Sequence, residues 1–290
     1  MKKLLLQLDT APLPSVFDRV VGHDGGADDV MAYGGITPDN VRDLVHGAIF
    51  TRGPKDLKHT AIFVGGTDMA AGERLLAAVR KAFFGPMRVS VMLDSNGSNT
   101  TAVAAVAKVV QAAGGDVTGA RAVVTAGTGP VGMRAAGLLA KAGADVTITS
   151  RRPVDAAFLD GLHKRFGGSV RAVALSEASQ AAAVLDGAQL LISAGPAGVC
   201  MVPKDAWAGR AGLRVAADLN AVPPMGIEGV DVQDNAAERE GAIVFGALGV
   251  GGLKMKIHKA CIARLFESND AVLDAETIAE VAQGLAAPKA

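Results

Sequence analysis

Cysteine is scarce. Cys200 and Cys261 are the only two in 290 residues, too few for a disulfide framework and without the CxxC spacing of a zinc or redox site, so a reducing cytoplasm is the expected compartment. Net charge is missing too, with 29 Lys and Arg against 29 Asp and Glu; no global field recruits nucleic acid or an anionic membrane. The five histidines, His23, His46, His59, His163 and His258, keep no H-x-x-x-H or H-x-E spacing, and no metal site is expected. No window reaches the ~18 uninterrupted apolar residues of a membrane helix. The apolar run after Met1-Lys2-Lys3 is broken by Gln7 and Asp9 before it attains signal-peptide length, so neither a membrane partner nor export is expected. Aromatics are only 4%, yet half the chain is hydrophobic and 36 residues are glycine, the composition of a well-buried Ala/Val/Gly-rich protein rather than a disordered one.

The length allows two domains. Lys3–Leu8 and Ala61–Val64 read as short strands, the second closed by Gly65-Gly66 and followed by a helical stretch from about Met69 to Phe83. Val89–Leu93 reads as another strand that runs into the turn-forming and helix-capping cluster Asp94-Ser95-Asn96-Gly97-Ser98-Asn99. Ala102, Val103, Val106, Val109 and Val110 then keep helical spacing until Gly114-Gly115. After Gly119 the pattern becomes strand (Ala122–Ala126), helix (Val131–Lys141), strand (Asp145–Thr149), a βαβ unit. Val170–Ala174, Leu190–Ser193, Val215–Asp218 and Ile243–Phe245 complete a parallel sheet, with a crossover helix over Pro153–Arg165. A Gly-rich turn from Gly246 to Gly252 precedes a helix over Leu253–Phe266, a last helix runs from about Asp274 to Leu285, and a small-residue tail follows. The expected fold is α/β: a Rossmann-type parallel-sheet domain (102–250) inserted into a second α/β substrate domain, with an active-site cleft between them. Residues 1–101 form the first part of the substrate domain, and the C-terminal helices of 251–290 pack back on it.

The most specific local signal is Gly127-Thr128-Gly129-Pro130-Val131-Gly132, a GxGxxG that follows a predicted strand and opens a predicted helix. Its first glycine permits the tight turn, its second lets backbone approach a pyrophosphate, and its third allows close helix–strand packing. An ordinary strand–turn–helix corner is the bland alternative. At the end of the next strand, where NAD-binding chains carry an acidic residue, stand Ser150-Arg151-Arg152. Two guanidinium groups suit the 2′-phosphate of NADP, or are two solvated arginines in a loop. Ser193-Ala194-Gly195 and Asp218-Leu219-Asn220 end two further strands at the carboxyl edge. There they line the nicotinamide ribose, with Asp218 and Asn220 equally readable as turn residues.

Ala61-Ile-Phe-Val-Gly-Gly, Met92-Leu-Asp-Ser-Asn-Gly-Ser-Asn-Thr-Thr-Ala102, Ala126-Gly-Thr-Gly-Pro-Val-Gly-Met133 and Phe245-Gly-Ala-Leu-Gly-Val-Gly-Gly-Leu-Lys254 together resemble the NADP-dependent methylene-tetrahydromethanopterin/methylene-tetrahydrofolate dehydrogenases of methylotrophic bacteria. The likeness extends to Ser15-Val-Phe-Asp18, Asp24-Gly-Gly-Ala27, Ala260-Cys-Ile-Ala263 and Leu265-Phe-Glu-Ser268, and so covers nearly the whole chain. It implies a cytoplasmic oxidoreductase of one-carbon metabolism, a homotrimer, that passes a hydride from the methylene carbon of a pterin C1 carrier to NADP⁺.

Such a transfer needs positioning more than acid–base chemistry, because the carrier's nitrogens stabilise the methenyl cation. Asp94, Asn96, Ser98, Asn99, Thr100 and Thr101 recognise the pterin's amide edge or shape the cleft, or else are a capped helix start. Asp18 and Asp24, read as loop residues, suit the pterin's guanidine-like edge, or satisfy backbone donors. Lys254 and Lys256 sit ~200° apart on a helix, so both cannot enter one site. The resemblance selects Lys256, which orients the pterin or reaction centre by hydrogen bonds from a buried position and abstracts no proton; the alternative is a solvated surface lysine. Two rival functions stay open, a folate-only methylene-tetrahydrofolate dehydrogenase/cyclohydrolase and a noncatalytic NADP-binding sensor.

Overall fold

The computed structural model describes residues 1–286; the tail beyond them, expected from the small residues after Leu285, lies outside. In chain order the elements are β1 (Leu4–Asp9), α1 (Val16–Asp24), β2 (Asp29–Tyr33), α2 (Val41–Phe50), β3 (Thr60–Gly65), α3 (Met69–Ala82), β4 (Ser90–Leu93), α4 (Ser98–Ala112), β5 (Arg121–Thr125), α5 (Pro130–Lys141), β6 (Asp145–Ser150), α6 (Ala156–Phe166) and β7 (Ser169–Ala174). They continue with α7 (Ala181–Val184), β8 (Leu190–Ser193), α8 (Lys204–Trp207), β9 (Val215–Asp218), β10 (Asn235–Arg239), β11 (Ala242–Phe245), α9 (Ala247–Arg264), β12 (Val272–Leu273) and α10 (Ala275–Ala286). Two compact units result, one built from Met1–Thr100 with the described residues from Met255 onward, the other from Thr101–Lys254. No helix among the described residues is long and apolar enough to cross a membrane.

The first unit holds a five-stranded sheet in the order β12-β4-β3-β1-β2, parallel throughout. Parallel strands are covered on both faces and so read as apolar runs. Leu6, Leu8, Ile62, Val64, Val91 and Leu93 pack against Val45 and Ile49 of α2 and Leu75 and Val79 of α3. On the other face α1 comes so near that a Cβ on Gly22 would lie 3.0 Å from Leu5. The buried His258 of α9 stacks there on Phe63, with ring centroids 5.5 Å apart.

Three elements between Leu8 and Ala61 have no counterpart in the sequence reading: α1, β2 and α2. Exposed Val16, Phe17 and Val20 blur the apolar stripe of α1, but its start has a legible cap. Ser15 accepts a hydrogen bond from the Asp18 N–H at 3.1 Å, and Ser-x-x-Asp is a helix-start signature. Asp18 and Asp24 therefore belong to a helix and not to loops, and Asp24 is ion-paired with Lys259 at 2.8 Å.

The second unit holds a seven-stranded sheet in the order β10-β11-β9-β8-β5-β6-β7. It is parallel except for β10, which pairs antiparallel with β11 and caps one edge. From β5 the chain winds outward to β6 and β7, then returns to the other side of β5 for β8, β9 and β11; the order reverses between β5 and β8, where doubly wound sheets bind ligands. On one face Val123, Leu191, Ala216 and Val244 pack with Leu185, Trp207 and Ile227. In the helical layer a Cβ on Gly137 of α5 would lie 2.3 Å from the Phe166 ring of α6, so this glycine sets the spacing of the two helices.

The glycine-rich segment before Leu253 is not a turn. α9 begins at Ala247, six residues earlier than its periodicity predicts. The reason is close packing: a Cβ on Gly246 would lie 2.0 Å from the Asp231 carbonyl oxygen, and one on Gly249 2.0 Å from that of Asp234. These glycines admit a neighbouring backbone to the helix rather than ending it.

Candidate active site

In the second unit the chemistry-bearing residues lie along one edge. The Ala126–Pro130 loop follows β5, Ser150–Arg152 ends β6 and continues beyond it, Ser193–Gly195 does so for β8, and Asp218–Asn220 for β9. These are four adjacent strands, and all four segments stand at their carboxyl ends on both sides of the point where strand order reverses. Gly127 donates its N–H to Thr149 at 2.8 Å. A Cβ there would lie 2.3 Å from that of Ile148, and one on Gly132 would lie 2.5 Å from the Ala126 carbonyl oxygen. Ala126 itself takes a left-handed φ of 50° to enter this turn. α5 then starts with Gly129 as an N-cap that offers no side chain and Pro130 in its first turn. Its first amides are left to an anion, favoured by the helix dipole. Thr128 is exposed at the tip of the loop. A dinucleotide pyrophosphate fits the free amides of this helix start, and the glycines keep the turn tight enough to present them, since side chains at Gly127 or Gly132 would strike Ile148 or the Ala126 backbone.

Arg151 and Arg152 are both exposed. The Arg152 N–H reaches the Ser150 hydroxyl at 3.4 Å, and neither guanidinium has a carboxylate partner among the described residues. The residues after β8 and β9 are more committed. Ser193 is buried and its hydroxyl lies 3.2 Å from that of Thr125. Ala194 donates to the Thr125 carbonyl at 3.4 Å. Asp218 is buried; its carboxylate accepts the Asn220 N–H at 3.1 Å and the Ile227 N–H at 2.9 Å. Burial pushes its carboxyl above the ordinary value, against the pull of backbone donors at Ile227, Asn220 and Gly226. Asn220 accepts from Val222 at 2.9 Å and donates to Pro224 at 2.9 Å. These two side chains knit the 218–227 loop, so turn chemistry accounts for their hydrogen bonds.

In the first unit the polar cluster follows β4. The buried Asp94 carboxylate accepts the N–H groups of Asn99 and Thr100 at 2.8 and 3.0 Å and the Thr100 hydroxyl at 2.6 Å. Asn99 turns inward and donates to the Leu93 carbonyl at 2.5 Å. Asp94, Asn99 and Thr100 thus tie the first turn of α4 to the strand, as a helix cap does. Ser98 is also buried, its hydroxyl without a hydrogen-bond partner. Thr101 is half-buried and Asn96 exposed. Cys261 of α9 is buried, and burial together with the Asp94 carboxylate pushes its thiol up to about 12. Lys256 is exposed on α9, contrary to the buried position expected of it, while Lys254 is half-buried. Asp18 is half-buried in the first turn of α1.

Comparison with known proteins supplies a family. Residues 16–96 match the model described as methylene-tetrahydromethanopterin dehydrogenase, N-terminal. The chain is 54% identical over 286 residues to the bifunctional protein MdtA of Methylorubrum extorquens, covering 98% of this chain and 99% of that one. It is 34% identical over 268 residues to the NAD(P)-dependent methylenetetrahydromethanopterin dehydrogenase of the same organism, covering 88% and 89%. Among solved structures it resembles a shikimate 5-dehydrogenase from Listeria monocytogenes, with a TM-score of 0.55 at 13% identity over 97% of this chain and 96% of that one. An ornithine carbamoyltransferase from Pyrococcus furiosus superposes with a TM-score of 0.60 at 14% identity over 93% and 86%. At such identities these two establish the two-domain α/β fold alone.

Proposed function

The chain belongs to the methylene-tetrahydromethanopterin dehydrogenase family, and from that premise we infer that it oxidises methylene-tetrahydromethanopterin and methylene-tetrahydrofolate to their methenyl forms with NADP⁺, as a cytoplasmic step of one-carbon metabolism. The observation that carries this reading is the 54% identity to MdtA along 98% of the chain. When bound, NADP⁺ supplies the hydride acceptor for the methylene carbon.

The residues of this chain have three tasks. Gly127, Thr128, Gly129, Pro130, Val131 and Gly132 hold the pyrophosphate on the amides that open α5. Ser150, Arg151 and Arg152 select NADP over NAD, because a planar guanidinium pairs bidentately with a phosphate dianion where an NAD site would offer a carboxylate to the ribose hydroxyls. Ser193, Ala194 and Gly195 flank the nicotinamide ribose, while Asp218 and Asn220 shape the loop beside it. On the carrier side Asn96, Thr101 and Asp18 offer polar groups to the pterin, and Asp94, Ser98, Asn99 and Thr100 fix the segment that carries Asn96. Lys256 orients the pterin through its ammonium hydrogen bonds and takes no proton, since the substrate nitrogens themselves stabilise the methenyl cation. Near-attack positioning is the catalytic contribution asked of these residues.

Mixing the protein with NADP⁺ and each methylene carrier in turn, and following NADPH absorbance, tests the reading. NADPH together with accumulating methenyl product is expected. Absence of NADPH with both carriers overturns it, and hydrolysis of the methenyl product to the formyl form would instead identify a cyclohydrolase. Light scattering on the purified protein tests the homotrimer.

A further inference from the structure

β1 carries two buried polar residues where a strand covered on both faces calls for apolar ones. Leu6 and Leu8 pack toward α2 and α3, so Gln7 and Asp9 point to the opposite face, toward α1. Each is only 1% exposed. Both side chains close on Ser15, the residue that caps α1. The Asp9 carboxylate accepts the Ser15 N–H at 3.1 Å and the Ala11 N–H at 2.9 Å, and the Gln7 Nε2 donates to the Ser15 carbonyl at 3.0 Å. The Ser15 hydroxyl in turn accepts the Asp18 N–H at 3.1 Å. Ser15 is thus gripped at all three of its polar atoms, and through its hydroxyl the grip reaches Asp18.

Asp9 and Gln7 differ in what they give the fold. The two N–H groups that Asp9 accepts belong to the loop between β1 and α1 and have no other acceptor among the described residues, so loop chemistry accounts for the carboxylate. The Ser15 carbonyl needs no such help, because it already accepts the Arg19 N–H at 3.2 Å as the first bond of α1. Gln7 therefore relieves no orphaned backbone group. It creates an orphan instead: its Oε1 is buried without a hydrogen-bond partner among the described residues. An unmatched buried carbonyl oxygen destabilises a fold, and an apolar side chain of similar shape carries no such penalty. Stability alone gives no reason for glutamine here, and local violations of this kind gather at functional sites.

We propose that Gln7 is a positioning residue for the carrier site: by fixing the Ser15 carbonyl from the sheet it sets the direction of the first turn of α1, and with it the place of Asp18. Gln7 is buried and does not itself touch the carrier. Asp9 holds the amide end of Ser15 and Gln7 the carbonyl end; one attachment would leave the residue free to pivot, and two fix it. A displacement of about 1 Å in a binding group is enough to lose productive alignment, so a second attachment matters to function where it does not matter to folding. The inference rests on the pterin reading given above, in which Asp18 faces the carrier, and adds a residue that acts through it.

Gln7→Met separates positioning from folding, for methionine keeps the length of the side chain while it deletes the amide. In the full-length protein the Tm of this variant should equal or exceed that of the natural chain. Its affinity for tetrahydrofolate, titrated calorimetrically without NADP⁺, should nevertheless fall about 10-fold or more. A lower Tm, or a variant that does not fold, makes Gln7 a structural residue and overturns the proposal, as does an unchanged affinity. A double-mutant cycle traces the route. Asp18→Ala should weaken tetrahydrofolate binding as well, and Gln7→Met added to it should cause no further loss. Additive losses, or natural affinity in Asp18→Ala, overturn action through Asp18, and absence of tetrahydrofolate binding by the natural chain overturns the whole assignment. The activity reading fails separately: a chain that loses tetrahydrofolate in Gln7→Met at an undiminished Tm, yet forms no NADPH, refutes the dehydrogenase and leaves Gln7 in place.

Discussion

Gly132 stands directly against Ala126, and a Cβ on the glycine would lie 2.5 Å from the alanine's carbonyl oxygen. The obstacle is backbone, so no rotamer change relieves it. Gly132→Ala should push α5 off the turn, destabilise the fold by roughly 1–3 kcal/mol and weaken NADP⁺ binding. Gly252 offers the contrast, since it lies inside α9 with nothing within 4 Å of a Cβ. Gly252→Ala should raise stability by about 1 kcal/mol, the helix-propensity difference. Melting curves of the two variants check both signs; a Gly132→Ala protein as stable and as tightly NADP⁺-binding as the natural one would refute the close-packing account.

Arg151 and Arg152 follow β6 in the place where a ribose-binding carboxylate would discriminate for NAD. Replacing both with alanine should raise KM for NADP⁺ about 10- to 100-fold, the scale of one or two charge-assisted contacts. The value for NAD⁺ should hardly change, because no 2′-phosphate is present to be lost. Steady-state kinetics with each cofactor gives the ratio. An equal loss with both would place the arginines in general electrostatics rather than in cofactor choice.

The contrast between the two units shows where sequence is informative. In the second unit β5, β6, β8 and β9 are short apolar runs, so they and the carboxyl-edge segments emerge from local pattern, whereas the polar β10 has no counterpart in the sequence reading. In the first unit, α1 exposes Val16, Phe17 and Val20 on what should be its polar face, and periodicity alone misses it although its Ser15 cap is written in the chain. The glycines before Leu253 mislead for another reason: Gly246 and Gly249 answer to backbone at Asp231 and Asp234, contacts between distant segments that no local window contains. Within Asp94–Thr101 the capping contacts of Asp94, Asn99 and Thr100 span at most six residues and are legible as a capped helix start, whereas Ser95 and Asn96 answer to Gly65-Gly66 some thirty residues away.

Asp94 holds α4 to its strand through three accepted hydrogen bonds. Asp94→Ala leaves two buried N–H groups and a hydroxyl without that acceptor, a loss of about 1–3 kcal/mol. Its Tm should fall accordingly, and the carrier KM should rise because Asn96 loses its support. Asp94→Asn keeps one acceptor oxygen and should lie between the two. An unchanged Tm for Asp94→Ala would remove the capping role.

Lys256 is exposed on α9 two positions before His258, whose ring stacks on Phe63. The stacked ring anchors this stretch of helix to the sheet and so fixes where the lysine emerges. Lys256→Met removes the ammonium but keeps much of the stem. Turnover of the methylene carrier should fall at least about 100-fold, as for loss of a well-placed electrostatic group, while NADP⁺ affinity measured by titration should stay the same. Full turnover in the variant would exclude Lys256 from the mechanism.

Asp218 gives the fold a pH dependence of defined sign. Burial raises its carboxyl above the ordinary value, so the folded chain holds this proton more tightly than the unfolded chain does. The resulting stabilisation is complete below the ordinary carboxyl value of about 3.9 and is lost as pH rises through the folded-state value. Above that point the chain carries a buried carboxylate whose desolvation is offset in part by the N–H groups of Asn220 and Ile227. Asp218→Asn stays neutral throughout and should flatten this part of the stability curve. Its Tm relative to the natural protein should therefore improve as pH rises from about 4 to about 7. Parallel Tm profiles for the two proteins across that range would show that Asp218 does not couple its proton to folding.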